Sequence, residues 1–143
     1  MAKAKILLIC AGGRHEEAIA SGVCKPGHLL KLDSAAKVLV HGSQGGFGER
    51  LFATEDALQG KTVDDSFGIG DLVPYRVAAP GEVLYAWIKA GETIVIGDQL
   101  ISGGDGTLIK TTGTPAQVMA VALEAIDLSD TGDVATRIAV RIV

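Results

Sequence analysis

The chain has 143 residues, a formal net charge of -4 and a pI near 5.3. That length suits one domain, or one domain with an arm, and the lack of a basic block removes the electrostatic footprint of a nucleic-acid binder. Hydrophobic residues make up 48% but aromatics only 4%, so Ala, Val, Ile and Leu must build the core, which suits a thin barrel or sandwich or a surface completed by a partner.

Lys5 to Cys10 is a short apolar run that reads as a strand or an ordered arm. Lys3 and Lys5 stand ahead of its apolar residues, but the run is short for a signal peptide and charges follow at once. Synthesis in the cytoplasm without export by this route is the expectation. No stretch reaches the ~18 apolar residues of a membrane helix. Ala11 to Gly27 is mixed and broken by Gly12-Gly13, Gly22 and Pro26-Gly27. Cys10 and Cys24 follow no metal or redox spacing and read as reduced thiols. Residues 1–25 are expected to form an arm or extension, and 26–143 a single β-rich domain.

His28 to Leu32 and Ala36 to His41 read as two strands of a hairpin, with Asp33-Ser34 as the turn. Gly42 to Gly48 is a glycine-rich loop. Leu51 to Leu58 fits either a helical turn or an extended segment. Gly60 to Gly70 is turn-rich and carries Asp64-Asp65. Leu72 to Ala78 reads as a strand that tolerates Pro74 at an edge. After Pro80-Gly81, Val83 to Ile88 alternates, with Val83, Tyr85 and Trp87 on one side and Leu84, Ala86 and Ile88 on the other. Thr93 to Ile96 is another short strand. Leu100-Ile101 and Leu108-Ile109 flank the turn Gly103-Gly104-Asp105-Gly106.

Gln117 to Ile126 fits a strand, with a competing helix capped by Thr114 and opened by Pro115. The strand is favoured, because Ser129 to Asp133 forms a turn that would pair it with the last segment. There, Ile138, Val140 and Ile142 alternate with Arg137, Ala139 and Arg141, the period of a half-buried strand. The 19 glycines fall between these runs, where tight turns need positive φ. The fold class expected is therefore mainly all-β: a compact small barrel or sandwich with short helical turns.

The residues that could carry chemistry each have a plain competitor. Lys5 to Ala20 can be read as strand, glycine turn and helix, with Gly12-Gly13 approaching a phosphate. The alternative function is thus a nucleotide-binding enzyme or fragment. The full dinucleotide fingerprint and the Walker lysine are missing, and an arm with a Gly-Gly bend explains the same residues. His15, His28 and His41 lack metal-ligand spacing. His15 with Glu16 and Glu17 could form a weak divalent site or a solvated charged patch. Asp98, Asp105, Asp127, Asp130 and Asp133 sit in oxygen-rich loops, yet Asx-type turns account for them. Ser102 and Ser129 show no activating pattern. Trp87, Tyr75 and Tyr85 are scarce aromatics that either anchor an interface or plug the core. A carrier-like β-domain, suggested by Ala90-Gly91-Glu92 and Gly97-Asp98-Gln99-Leu100, lacks a lysine at a tight turn. No catalytic, cofactor-binding or metal-binding residue is assigned.

An ordered set of phrases runs through the last two-thirds of the chain. Leu51 to Asp56 precedes Gly60 to Phe67 and Gly70-Asp71-Leu72-Val73. Then come Pro80-Gly81-Glu82-Val83, Ala90-Gly91-Glu92-Thr93, Gly97 to Ser102, and Asp105-Gly106-Thr107-Leu108. Ala120 to Ala125 leads to Arg137 to Val143. With Gly27-His28-Leu29-Leu30 as an early strand, this order resembles the capsid decoration, or cement, proteins of tailed bacteriophages. The resemblance covers about Pro26 to Val143 and leaves Arg14 to Glu17 outside. It implies a compact β-fold assembled as homotrimers on the outer capsid surface of the virion. The partner would be the major capsid protein, whose neighbouring subunits the trimer would hold together. It implies no enzyme activity, no cofactor, and no contact with nucleic acid or membrane. An exposed strand, either Lys5 to Cys10 or the C-terminal one, could extend a neighbour's sheet.

Overall fold

The computed structural model describes residues 3–113 and 115–143. In chain order the strands are β1 (Leu7–Ile9), β2 (Arg14–Ile19), β3 (Leu29–Leu32), β4 (Val38–Val40), β5 (Leu51–Ala53), β6 (Leu72–Val77) and β7 (Val83–Ile88). They continue with β8 (Thr93–Ile94), β9 (Gln99–Ser102), β10 (Leu108–Lys110), β11 (Ala120–Ala122), β12 (Ile126–Asp127) and β13 (Thr136–Ile142). A single 3-10 turn, Ala57–Gln59, is the only helical element among the described residues. The protein is all-β.

Strands β7, β10, β9, β11 and β13 pair in that order, and β13 returns to β7, closing a five-stranded barrel. Its seam is antiparallel and runs from Thr136↔Ile88 to Arg141↔Val83. Closure removes the free edges that make small sheets prone to aggregate. β1 adds to the outside of β7 through an irregular register at Leu7 and Ile9. A second sheet has the order β2-β6-β5-β3-β4. A parallel bridge between Ala20 and Val38 draws its two ends together. β8 and β12 form a short ribbon.

Strand period sorts side chains between two cores. In β7, Leu84, Ala86 and Ile88 enter the barrel with Leu100, Leu108, Ala120, Ala122, Ile138, Val140 and Ile142. In β3, Leu29 joins that barrel core while Leu30 joins a second one. β5 does the same: Phe52 faces the barrel, and Leu51 and Ala53 face Val73, Tyr75 and Cys24. At β5 and the start of β3 the second sheet is thus covered on both faces, and Phe52 and Leu29 bind it to the barrel. A third small cluster, Ile6, Val63 and Tyr85, covers the outer face of β7.

The β3–β4 hairpin, β7, the β9–β10 pair and β13 form as the patterns predict. The apolar run after Gln117 is a strand, β11, antiparallel to β13. Its proposed helix cap, Thr114, lies outside the described residues. Leu51 to Leu58 is both things in turn, a strand and then a 3-10 turn. Two details differ from expectation. β6 is not an edge strand: it is paired to β2 and to β5. Pro74 is tolerated there because it lies just past the end of β5, with its carbonyl accepting from the Thr54 N–H (3.0 Å). Arg14 to Ile19, a helix in the nucleotide-site alternative, is a strand that follows the Gly12-Gly13 bend. Residues 3–25 supply one strand to each sheet.

Candidate functional site

The Gly12-Gly13 turn lies between β1 and β2. Gly12 has a φ of 100°, in the left-handed region that glycine adopts without strain. This conformation points the N–H groups of Ala11 and Gly13 at one oxygen of Glu82 (2.9 and 3.1 Å). Arg76 grips both oxygens of the same carboxylate, Nε to Oε1 at 3.0 Å and Nη2 to Oε2 at 2.5 Å. The Ala79 N–H donates to Oε1 at 3.2 Å. Glu82 is wholly enclosed and Arg76 nearly so. A Cβ at Gly13 would collide with the Glu82 carboxylate and the Val77 carbonyl. Burial opposes ionisation of Glu82, but Arg76 and the three main-chain donors outweigh it and hold the pKa at about 2. The turn therefore does cradle an anion, and that anion is the chain's own carboxylate. It ties the start of the chain to β6 and to the β6–β7 turn. Arg76 also donates to Cys10 Sγ at 3.0 Å. Both cysteines are unpaired.

His41 donates its main-chain N–H to the Leu29 carbonyl (2.9 Å), next to His28, while His15 lies apart on β2. His41 is buried, with Nδ1 2.7 Å from Ser102 Oγ and Nε2 3.3 Å from the Phe47 carbonyl. Sequence reasoning finds no such pair, because 61 positions separate the two residues. Ser102 is fully enclosed and also accepts the Gly104 N–H at 3.3 Å. A nucleophile needs a path to substrate, and a carbonyl replaces the carboxylate that would orient the base. This contact fastens the loop 42–48 instead. His28 Nδ1 accepts the Lys25 N–H at 3.0 Å, and its ring packs 5.9 Å from Trp87. Burial first, and the Lys25 charge second, lower its pKa to about 4. His15 is exposed on β2.

The loop aspartates close their own turns. Asp98 accepts from Val95 N–H, Asp105 from Thr107, Asp127 from Ser129, and Asp133 from Asp130. Glu16 accepts from Arg14 Nε (2.7 Å) and from the Tyr75 hydroxyl (3.0 Å). Among the described residues no three His, Cys, Asp or Glu side chains converge as a metal site.

Tyr85 and Trp87 stand on the outer face of β7 and flank the Arg137 guanidinium, at 5.2 and 4.6 Å from the ring centres. Arg137 reaches on to Asp64 (2.6 Å) and the Val63 carbonyl (2.8 Å). Trp87 donates its indole N–H to the Pro26 carbonyl at 2.8 Å. These aromatics and Tyr75 are built into the molecule. The most exposed aromatic is Phe47, at 78%. Its loop is braced by Gln117, whose amide bonds both the N–H and the carbonyl of Gly48 at 2.9 Å. Sequence reading passed over Phe47 because it sits alone in a polar, glycine-rich stretch.

The fold as a whole has a known counterpart. It matches the crystal structure of the N base of the head fiber gp8.5 in bacteriophage phi29, with a TM-score of 0.59 and 18% identity over 92% of this chain and 94% of that one. No protein-family model and no curated protein sequence matches the chain.

Two strands suggested for sheet addition differ in what they offer. β13 is paired on both sides, to β11 and β7, and has no edge to give. β1 is paired on one side, to β7. Of the other exposed apolar side chains, Leu58, Ile69, Val95, Ile96 and Val134 lie outside the strands, and Ile9, Ile19, Leu32 and Leu72 lie on strands.

Proposed function

We propose that this protein is a structural component of a tailed-phage head. In this reading it binds the outer surface of the assembled capsid as a homotrimer and holds neighbouring major capsid subunits together. The observation that carries it is the likeness to the N base of a phage head fiber over nearly the full length of both chains. The ordered phrases from Pro26 to Val143 support the same reading independently.

The surface suits attachment. Phe47, on a loop braced by Gln117, and the apolar residues outside the strands are small footholds. Rigid loops lose little freedom on docking, which favours affinity. Three such footholds on one trimer gain avidity, because the second and third contacts become intramolecular. A protein that binds the closed shell and not its free subunits shifts the balance toward the shell by mass action. The polar groups that resemble a catalytic apparatus, Glu82, Arg76, His41 and Ser102, are occupied with one another inside the fold.

Purified protein mixed with expanded, emptied capsids should bind saturably at sites of three-fold symmetry, and capsids so decorated should resist disruption at lower ionic strength. A monomer that sediments apart from such capsids would overturn the reading.

A further inference from the structure

β2 carries the longest unpaired main-chain edge among the described residues. It pairs with β6 alone along its six residues. The direction of each main-chain group follows from Pro74. Its carbonyl bonds Thr54 on the β5 side, so its partner Glu17 is not hydrogen-bonded to β6. Alternation then turns His15 and Glu17 outward, each with a free N–H and C=O. Arg14, Glu16 and Ala18 bond to β6. The edge closes from Ile19 onward at the parallel Ala20–Val38 bridge, where Ser21 N–H reaches the Val38 carbonyl at 2.9 Å.

A groove of about 660 Å³ borders this edge. Leu7, Ala57, Leu58 and Pro74 give it an apolar floor. Glu16, Glu17, Glu55 and Asp56 line it against Lys5 and His15. Glu16 is held by Arg14 and Tyr75, and Glu55 accepts the Ile6 N–H at 3.1 Å, so Glu17 and Asp56 supply most of the negative rim beside the open main-chain donors and acceptors.

We propose that β2 is a docking edge for an extended segment of a partner protein that carries lysine or arginine at alternate positions. Main-chain bonds to His15 and Glu17 would hold its backbone, and the rim would select its charge. A second copy of this chain is the poorer occupant. Edge-to-edge pairing would bring two acidic rims together in a chain already at net charge -4.

The probe is a capped six-residue peptide, alternating lysine and valine, titrated into the isolated ¹⁵N-labelled protein at low salt. Binding is thus read apart from any capsid, and its failure would not touch the head-surface reading. The amides of His15 and Glu17 should shift and gain exchange protection. A version N-methylated at alternate nitrogens, and one with glutamate for lysine, should each bind roughly tenfold more weakly. Glu17→Pro removes an outward N–H while leaving the β6 bonds, and should cost a similar factor with the β6 amides unmoved. Asp56→Lys should do likewise through charge. Equal binding of the N-methylated peptide, shifts confined to another face, or no shift at millimolar peptide would overturn the docking edge. Self-association abolished by Glu17→Pro would assign the edge to a second copy and overturn it equally.

Discussion

Glu82 shows how one side chain can turn a would-be ligand site into a fastening. Five N–H donors surround it, and two of them come from the glycine turn. Removing one partner of a buried, hydrogen-bonded ion pair costs about 3–5 kcal/mol, because the other charge is left without compensation. Glu82→Gln should therefore lower Tm by roughly 10 °C in a calorimetric scan. The pH dependence has a definite sign. In the fold the carboxyl titrates at about 2, below its ordinary value of 4.5. The unfolded chain takes up the proton first, so this stabilisation, roughly 3 kcal/mol, is present above pH 4.5 and is lost as pH falls toward 2. His28 acts earlier on the same axis. Its pKa falls from 6.5 to about 4 on folding, so stability should begin to decline below pH 6.5. His28→Gln should flatten the denaturation midpoint between pH 6.5 and 4 and leave the lower slope from Glu82 intact.

At the level of elements, β5 is the hinge between the two sheets. Its three residues are all buried, since one face meets the barrel and the other meets the second core. Phe52→Ala should cost about 3–5 kcal/mol by denaturant titration, because the cavity would open between sheets that cannot both collapse into it. The loop 42–48 makes the opposite case. Phe47 touches solvent, so Phe47→Ser should change stability by less than about 0.5 kcal/mol. On the proposed function the same change should weaken capsid binding at least roughly tenfold, as loss of an exposed aromatic anchor does. Co-sedimentation with capsids separates the two effects. A variant that binds as well as the parent would remove Phe47 from the contact surface.

For the whole molecule, the closed barrel leaves few edges, and those that remain are where association must be sought. Sedimentation equilibrium should give a mass three times the 14.7 kDa chain if the proposed trimer forms. Acid should dissociate and unfold it together, because the Glu82 fastening ties both sheets.

The strands with one wet or loosely covered face were legible in the sequence. β13 alternates visibly, because a half-buried strand must repeat every two residues, while β7, buried at five of its six residues, was marked by the glycine turns on either side. β2 was not legible. Its residues, Arg14 to Ile19, are mostly polar, and its position as a strand depends on pairing with β6 some sixty residues away. β5 was ambiguous for the reverse reason: burial on both faces erases alternation. The occupant of the Gly12-Gly13 turn lay equally out of reach, since local sequence shows donors and only the folded chain brings Glu82 beneath them. Sequence by itself determined that this is an aliphatic-cored, glycine-cornered β-protein, because period and turn chemistry act between near neighbours. Which edges stay open, which anion fills the turn and which aromatic faces solvent were decided by contacts distant along the chain, which no local pattern encodes.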